Sequence, residues 1–272
     1  MIVLFGRLAA FARSHGLGRV LHVVRDSIDA VLLFTRTPPL SATVGGIELR
    51  GFLRHRSFLA ELDSGDYERT ARKLFVDAVT DAEIVIDVGA HIGFYALLAA
   101  RTSPSSRVIA LEADSYNAAA LAANVRGTQV QVVAMAASDQ VGRSAFRQNL
   151  GTVGSSLVDR SGTGPVRVVE VETTTIDAIA QQARSLLMKI DVEGAELAVL
   201  AGAVDTITRA GDATLIVELN PKALAAGGKS AADLVAALEA LGLAVGFIDE
   251  DAGRVDDRVD LDRKGNLIAT KV

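Results

Sequence analysis

The sequence predicts an α/β protein built on an open, mostly parallel sheet, and three observations carry that expectation. From Glu83 onward, short apolar strand patterns alternate with helical ones, as successive β-α-β units require. The runs Val85–Gly93 and Met188–Glu196 each set an acidic residue where an apolar strand gives way to a small-residue turn, the edge at which open α/β sheets bind ligands. A chain of 272 residues, 50% of them hydrophobic, can bury a full core, enough for one sheet domain with an appendage.

Residues 1–79 form the predicted appendage. Met1–Leu33 is apolar but interrupted by Arg7, Arg13, Arg19, Arg25 and Asp26, so no stretch approaches the ~20 apolar residues of a membrane span. It lacks the pattern of a signal peptide. Two helices packed on the main domain or on a second subunit are the plainer expectation, which admits a homo-oligomer. The sharper one is peripheral contact with anionic lipid through the arginines. Pro38-Pro39 ends this segment, because proline cannot continue a helix. Ala42–Phe52, with Gly45-Gly46 inside it, reads as a β-hairpin, and Ser57–Val79 as helix broken at Gly65, with Tyr67, Leu74 and Ala78 on one face.

The sheet domain, residues 80–272, follows in order. Strand one is Ile84–Val88, with a helix over Phe94–Ala100. Strand two is Arg107–Leu111, ending at Glu112, and its helix Tyr116–Val125 is closed by Gly127. Val130–Ala136 is strand three. Between Ser138 and Thr174 five glycines divide short strands, which predicts a hairpin-like insertion over the ligand edge. Thr175 then caps a helix to about Ala183, Leu186–Ile190 is strand four, and Ala195–Arg209 a helix. Leu215–Leu219 is strand five. Ser230 caps a helix through Leu241 that Gly242 stops, and Ala244–Ile248 and Asn266–Thr270 complete the sheet.

Composition narrows the partners. A net charge of −5 and 4% aromatic residues offer neither a basic field for phosphates nor rings for base stacking, which argues against nucleic acid. With no cysteine there are no disulfides or thiolate metal sites, consistent with a reducing, cytoplasmic setting.

Asp87-x-Gly89-x-x-x-Gly93 lacks the three-glycine spacing that brings a pyrophosphate close to backbone, so a nucleoside cofactor without phosphates fits better. Glu112, at the tip of the next strand, is placed to accept both hydroxyls of a ribose. The alternative is that Asp87 and Glu112 simply cap the helices after them.

The run Ile86-Asp87-Val88-Gly89-Ala90-x-Ile92-Gly93, then Glu112, then Lys189-Ile190-Asp191-Val192-Glu193-Gly194-Ala195-Glu196-x-x-Val199-Leu200-x-Gly202-Ala203, resembles the FkbM family of S-adenosylmethionine-dependent methyltransferases. The likeness runs from about Gly65, through Tyr67-Glu68, to Asn266–Ala269. It implies a Rossmann-like class I methyltransferase fold, with seven strands of which the last is antiparallel. S-adenosylmethionine would lie across the first strand ends, with Asp87, Gly89 and Gly93 near its methionine and sugar portions. Glu112 would meet the ribose, Ser138-Asp139 the adenine amino group, and Tyr67 and Glu68 would close over donor or acceptor, or only anchor a helix. His91 stands where the family commonly has Asn, so it would hold the donor or titrate near neutral pH.

Methyl transfer needs alignment and removal of the acceptor's proton. Asp191 and Glu193 are the first choices for the base, with His91 a third catalytic candidate. The alternative is that Asp191 caps the following helix while Glu196 pairs along it. A second reading lets Asp191, Glu218 and Asn220 hold magnesium, with Lys189 assisting if it points into the cleft. The rival there is ordinary strand-end caps, with Pro221 closing the turn. Gly151–Ser156 reads as a lid or a plain surface loop.

The resemblance thus implies O-methylation of a small-molecule or glycan hydroxyl. The rivals are N-methylation and a nucleoside-binding module without turnover.

Overall fold

A computed structural model describes residues 24, 25, 27–29, 31, 32, 38–149, 155–158, 166–180 and 183–272. The expected N-terminal helix pair lies mostly outside the described residues, as do Gly151–Gly154. The described positions between 24 and 32 are helical. Asp29, fully buried there, accepts from the Leu53 and Arg54 amides at 2.9 and 3.2 Å.

A hairpin follows, β1 (Leu40–Val44) and β2 (Ile47–Gly51), with inward and outward residues alternating along both strands. A single 3-10 turn at Leu53–His55 leads into α1 (Arg56–Ser64), which ends on Gly65 in the left-handed conformation. α2 (Arg69–Val79) buries Ala71, Phe75 and Val79, one helical face. Tyr67 precedes α2 rather than sharing its face with Leu74 and Ala78, because the left-handed Glu68 separates it from the helix.

The main sheet contains β3 (Ile84–Val88), β4 (Arg107–Leu111), β5 (Gln131–Val133), β9 (Ser185–Ile190), β10 (Asp212–Leu219), β11 (Leu243–Asp249), β12 (Arg254–Asp256) and β13 (Gly265–Lys271). Its order is β12-β11-β13-β10-β9-β3-β4-β5. The block from β10 to β5 is parallel, and β13 runs antiparallel between β10 and β11. The eighth strand, β12, pairs with β11 at the edge; its three residues are too few to show a period.

Strand three is shorter than its apolar pattern suggests. The chain leaves the sheet after Val133, and Ala136–Ala137 forms β6 in a second sheet with β7 (Gly142–Asn149) and β8 (Val166–Thr174). The helices beside the sheet are α3 (Phe94–Thr102), α4 (Ser115–Asn124), α5 (Ile176–Ile179), α6 (Glu196–Ala201), α7 (Val204–Arg209), α8 (Pro221–Ala226) and α9 (Ala231–Ala240). The helix expected from Thr175 is one described turn, and the one expected over Ala195–Arg209 is two. The break falls at Gly202, where a Cβ would stand 2.1 Å from the Ser138 carbonyl oxygen. Pro221 opens a helix instead of closing a turn, since a first-turn proline lacks only an amide the helix does not use.

Strand alternation divides the core. Ile84, Ile86 and Val88 of β3 pack with Met188, Leu215 and Leu234 on one face. Val85 points the other way, into a core shared with Phe52, Leu59, Phe75, Phe94 and Val108, so residues 40–79 cover that face.

Candidate functional site

The strand register builds a polar row on the covered face. Asp87 of β3 pairs with Lys189 of β9, and Glu218 of β10 pairs with Asn266 of β13. All four side chains have the parity of Val85, Leu187, Ile216 and Ile268, so they project together beneath the cap at the carboxyl ends of the parallel strands. There they line a cavity of about 390 Å³, closed from the cap by Phe58, Tyr67 and Glu68 and from the insertion by Phe146, Ser155, Ser156 and Leu157. Ser156 Oγ bonds the Val192 and Glu193 carbonyls at 3.1 and 2.9 Å, which draws the insertion over this edge.

Lys189 is 1% exposed yet charged. Its Nζ donates to Asn266 Oδ1 at 3.1 Å and lies 3.6 Å from Asp191 Oδ2. Burial alone would lower its pKa, but Glu68, Asp191, Glu218 and Asp87 surround it and raise it to about 12. Asn266 Nδ2 then reaches Glu68 Oε1 at 2.9 Å, and Glu68 Oε2 accepts from the Tyr95 hydroxyl at 2.6 Å. One polar chain thus ties the tip of β9 to the cap. Lys264, which belongs to no motif, pairs with Glu218 Oε1 at 2.8 Å. Glu193 accepts from the Asn220 amide at 3.2 Å.

At the other end of the cavity Glu112 is buried. Its carboxylate accepts from the His91 amide at 2.9 Å and the Asp114 amide at 2.7 Å. The Asn117 side chain also bonds it, and Asn117 Oδ1 is held by His55 Nε2 at 2.9 Å. Since His55 Nδ1 accepts from the Phe52 amide, Nε2 carries its proton. Neither His55 nor Asn117 belongs to a motif, so the sequence did not single them out.

Three non-glycine residues among those described have positive φ: Glu68 at 42°, His91 at 51° and Glu193 at 55°. All three line the cavity. Each such residue stores roughly 1–3 kcal/mol of strain, which the surrounding structure must hold in place.

Several expected residues sit elsewhere or act differently. Gly93 does not line the cavity; it starts α3, and its bare Cα lets Leu121 of α4 approach. Ser138 and Asp139 are outside as well, because β6 carries the chain into the small sheet, and Ser138 Oγ bonds Asp139 instead. His91 does not titrate near neutrality. Burial lowers its pKa to about 4, and its ring lies edge-on to Phe58 at 4.5 Å and His55 at 5.2 Å.

Asn220 does not fit the magnesium set. Its oxygen caps α8 through the Ala223 amide, and it is Glu193 that joins Asp191 and Glu218, with carboxylate oxygens within 4.8 Å of one another. The Lys189 and Lys264 ammoniums already stand against two of these three carboxylates. Asp191 caps no helix; the Gly194 amide is taken by Glu196 Oε1 at 2.9 Å. Asp87, Gly89, Glu112, Tyr67, Asp191 and Glu193 all reach the cavity wall.

Burial drives the carboxylates upward. Desolvation raises Asp87 to about 7 and Glu112 to about 8, against the pull of Lys189 on the first and of amide hydrogen bonds on the second. Both hold a proton in the folded chain where the unfolded chain has lost it. Their contribution is therefore complete at low pH and is lost as pH rises through 7 and 8. The buried His55 and the half-buried His91 are shifted downward, so they add stability with rising pH only up to about 6.5. Thermal melts of the ligand-free chain are expected to show a lower midpoint at pH 9 than at pH 6.5, with the two carboxyl groups accounting for a loss of about 3 kcal/mol. An equal or higher midpoint at pH 9 would mean that these carboxyls ionise as solvated ones do.

A mostly parallel sheet with one antiparallel strand inserted near its end, and a ligand-sized cavity at the parallel strand tips, defines a class I, Rossmann-like methyltransferase architecture. Residues 87–245, more than half of the chain, match the family model described as the methyltransferase FkbM domain. The chain belongs to that family of S-adenosylmethionine-dependent methyltransferases. No curated protein matches it.

Among solved structures it is similar to a SAM-dependent methyltransferase from Agrobacterium tumefaciens, at 9% identity and a TM-score of 0.48, covering 85% of this chain and 69% of that one. It is also similar to an O-methyltransferase from Bacillus cereus in complex with SAH, at 12% identity and a TM-score of 0.43, covering 78% and 84%. Similarities this distant carry no argument about the reaction. No described helix is long and apolar enough to cross a membrane.

Proposed function

We propose that the chain transfers the methyl group of S-adenosylmethionine to a hydroxyl of a sugar, glycan or secondary metabolite, with Asp191 or Glu193 as the base and residues 1–79 as a cap. The observation that carries this reading is the meeting of Asp191, Glu193 and Glu218 within 4.8 Å on the cavity wall. Asp191 and Glu193, after β9, stand two strands from Glu112 at the tip of β4, roughly 10 Å at ordinary strand spacing, and Glu218 on β10 stands three, roughly 14 Å. A nucleoside held at β4 and β3 would leave the β9 and β10 tips to the acceptor.

The residues present suit the donor. A carboxylate offers about four lone-pair sites, and the amides of His91 and Asp114 and the Asn117 side chain use three of those on Glu112, leaving one acceptor for a ribose hydroxyl. Leu111, Met135, Ala136 and Ala137 give an apolar wall beside it for a flat base. Asp87 Oδ2 is buried with no partner and would welcome a donor group. His91, neutral in this setting, serves through its backbone amide on Glu112 and its ring in the wall.

When bound, S-adenosylmethionine supplies a methyl group on a positively charged sulfur. A hydroxyl is a poor nucleophile until its proton leaves, and a carboxylate within hydrogen-bond reach can take it. The proton passes to Asp191 or Glu193 as the oxygen–methyl bond forms and the sulfur–methyl bond breaks. Asp191, partly exposed beside the buried Lys189, can return that proton to water.

The test is incubation with methyl-labelled S-adenosylmethionine and a panel of hydroxyl and amine acceptors, with products read by NMR. Label on oxygen is expected. Label found only on nitrogen, or none transferred to any acceptor by a chain that binds S-adenosylhomocysteine, would overturn the reading.

A further inference from the structure

Resting on the hydroxyl-transfer reading above, we propose that the acceptor is cationic: a polyol bearing a protonated amine near the hydroxyl that reacts, with the ammonium held by Glu218 and Glu193. Glu218 supplies the first observation. It is 5% exposed and lines the cavity, Lys264 engages Oε1, and Oε2 is shut off from water with no hydrogen-bond partner. A buried carboxylate oxygen left without a donor forfeits its hydration, and a ligand that brings the donor restores what is missing.

Charge is the second observation. Among the described residues lining this end of the cavity, the acidic side chains Glu61, Asp66, Glu68, Asp191, Glu193 and Glu218 outnumber the basic Lys189 and Lys264. Burial, with Asp191 and Glu193 close by, raises the Glu218 pKa well above the usual carboxylate range, a shift that a bound cation would oppose. Lys189 is committed to Asn266 and Asp191, while Lys264 is a rim cation whose side chain is 61% exposed. An ammonium offers three donors and a charge to carboxylates whose oxygens lie within 4.8 Å of one another. A neutral polyol meets the hydrogen bonds but not the charge, and a phosphate or carboxylate on the acceptor meets like charge. The ammonium nitrogen has no lone pair, so the methyl goes to the neighbouring oxygen, whose proton passes to Asp191 as the sulfur–methyl bond breaks.

Calorimetry on the full chain saturated with S-adenosylhomocysteine tests this, using glucosamine, glucose and glucuronate, which share ring hydroxyls and differ in charge. Glucosamine is expected to bind at least about 10-fold more tightly than glucose, and glucuronate most weakly. Glu218→Gln should reduce that preference to under about three-fold, and the half-buried Glu193→Gln, which puts the fold at less risk, should also reduce it. Equal affinity for glucosamine and glucose, or binding of neither, overturns the proposal. Magnesium chloride that binds by itself and erases the amine preference overturns it too, by assigning the carboxylates to a metal. The two readings fail separately. Methyl found on the nitrogen of glucosamine sinks the hydroxyl reading while the charge preference stands, and O-methylation without charge preference does the reverse.

Discussion

Gly89→Ala is expected to destabilise the chain by about 4 kcal/mol and to abolish binding of S-adenosylhomocysteine. Gly89 has a φ of 82°, where an alanine costs about 1–2 kcal/mol. An added Cβ would also lie 1.9 Å from the Asp191 carbonyl oxygen, which is backbone and cannot swing aside. Displacing such a packed neighbour adds about 1–3 kcal/mol. The displaced segment is the tip of β9, anchored by the Asp191 amide on the Val88 carbonyl at 2.9 Å, so the change would move Asp191 and the cavity floor together. A thermal melt should show the midpoint lowered by roughly 10 °C. A variant that melts like the parent and binds S-adenosylhomocysteine normally would show that the tips of β3 and β9 are not packed this closely.

Asp191→Asn should lower kcat by about 10²- to 10³-fold while changing the affinity for S-adenosylhomocysteine by less than about three-fold. The amide keeps the shape of the carboxylate but cannot take the hydroxyl proton. Lys189 would lose one partner and remain among Glu68, Glu218 and Asp87, so the fold is expected to persist. Glu193→Gln provides the comparison: whichever of the two variants loses more turnover identifies the base. If both turn over at the parent rate, neither is the base and the role passes to another group. A matching loss of S-adenosylhomocysteine affinity would instead assign Asp191 to the donor.

The two acidic runs show how far a linear reading reaches. Asp87, Gly89, Asp191 and Glu193 could be picked out because strand-to-turn transitions leave local marks, and all four line the cavity. Gly93 carries the same kind of mark for a different cause, since a glycine needed for one helix to pass another is indistinguishable by sequence from one beside a ligand. Ser138 and Asp139 lie off the cavity wall, which the sequence does not mark, because Val130–Ala136 has the same apolar alternation whether it is one strand or two short strands in different sheets. His91 could be noticed as a departure from the family's usual Asn, but the low pKa follows from Phe58 and His55, which arrive from the cap.

The sequence by itself determined the α/β class, the positions of β3, β4, β9 and β10, and the family, because periodicity, strand ends and motif spacing are properties of neighbours along the chain. Only the tertiary structure decided that Lys189 is a buried charge among four carboxylates, that Lys264 answers Glu218, and that Glu193 takes the place expected of Asn220. Those facts depend on register between strands and on which side chains meet after burial has removed water, and desolvation and Coulomb interactions act through space between residues that may be 200 positions apart or two.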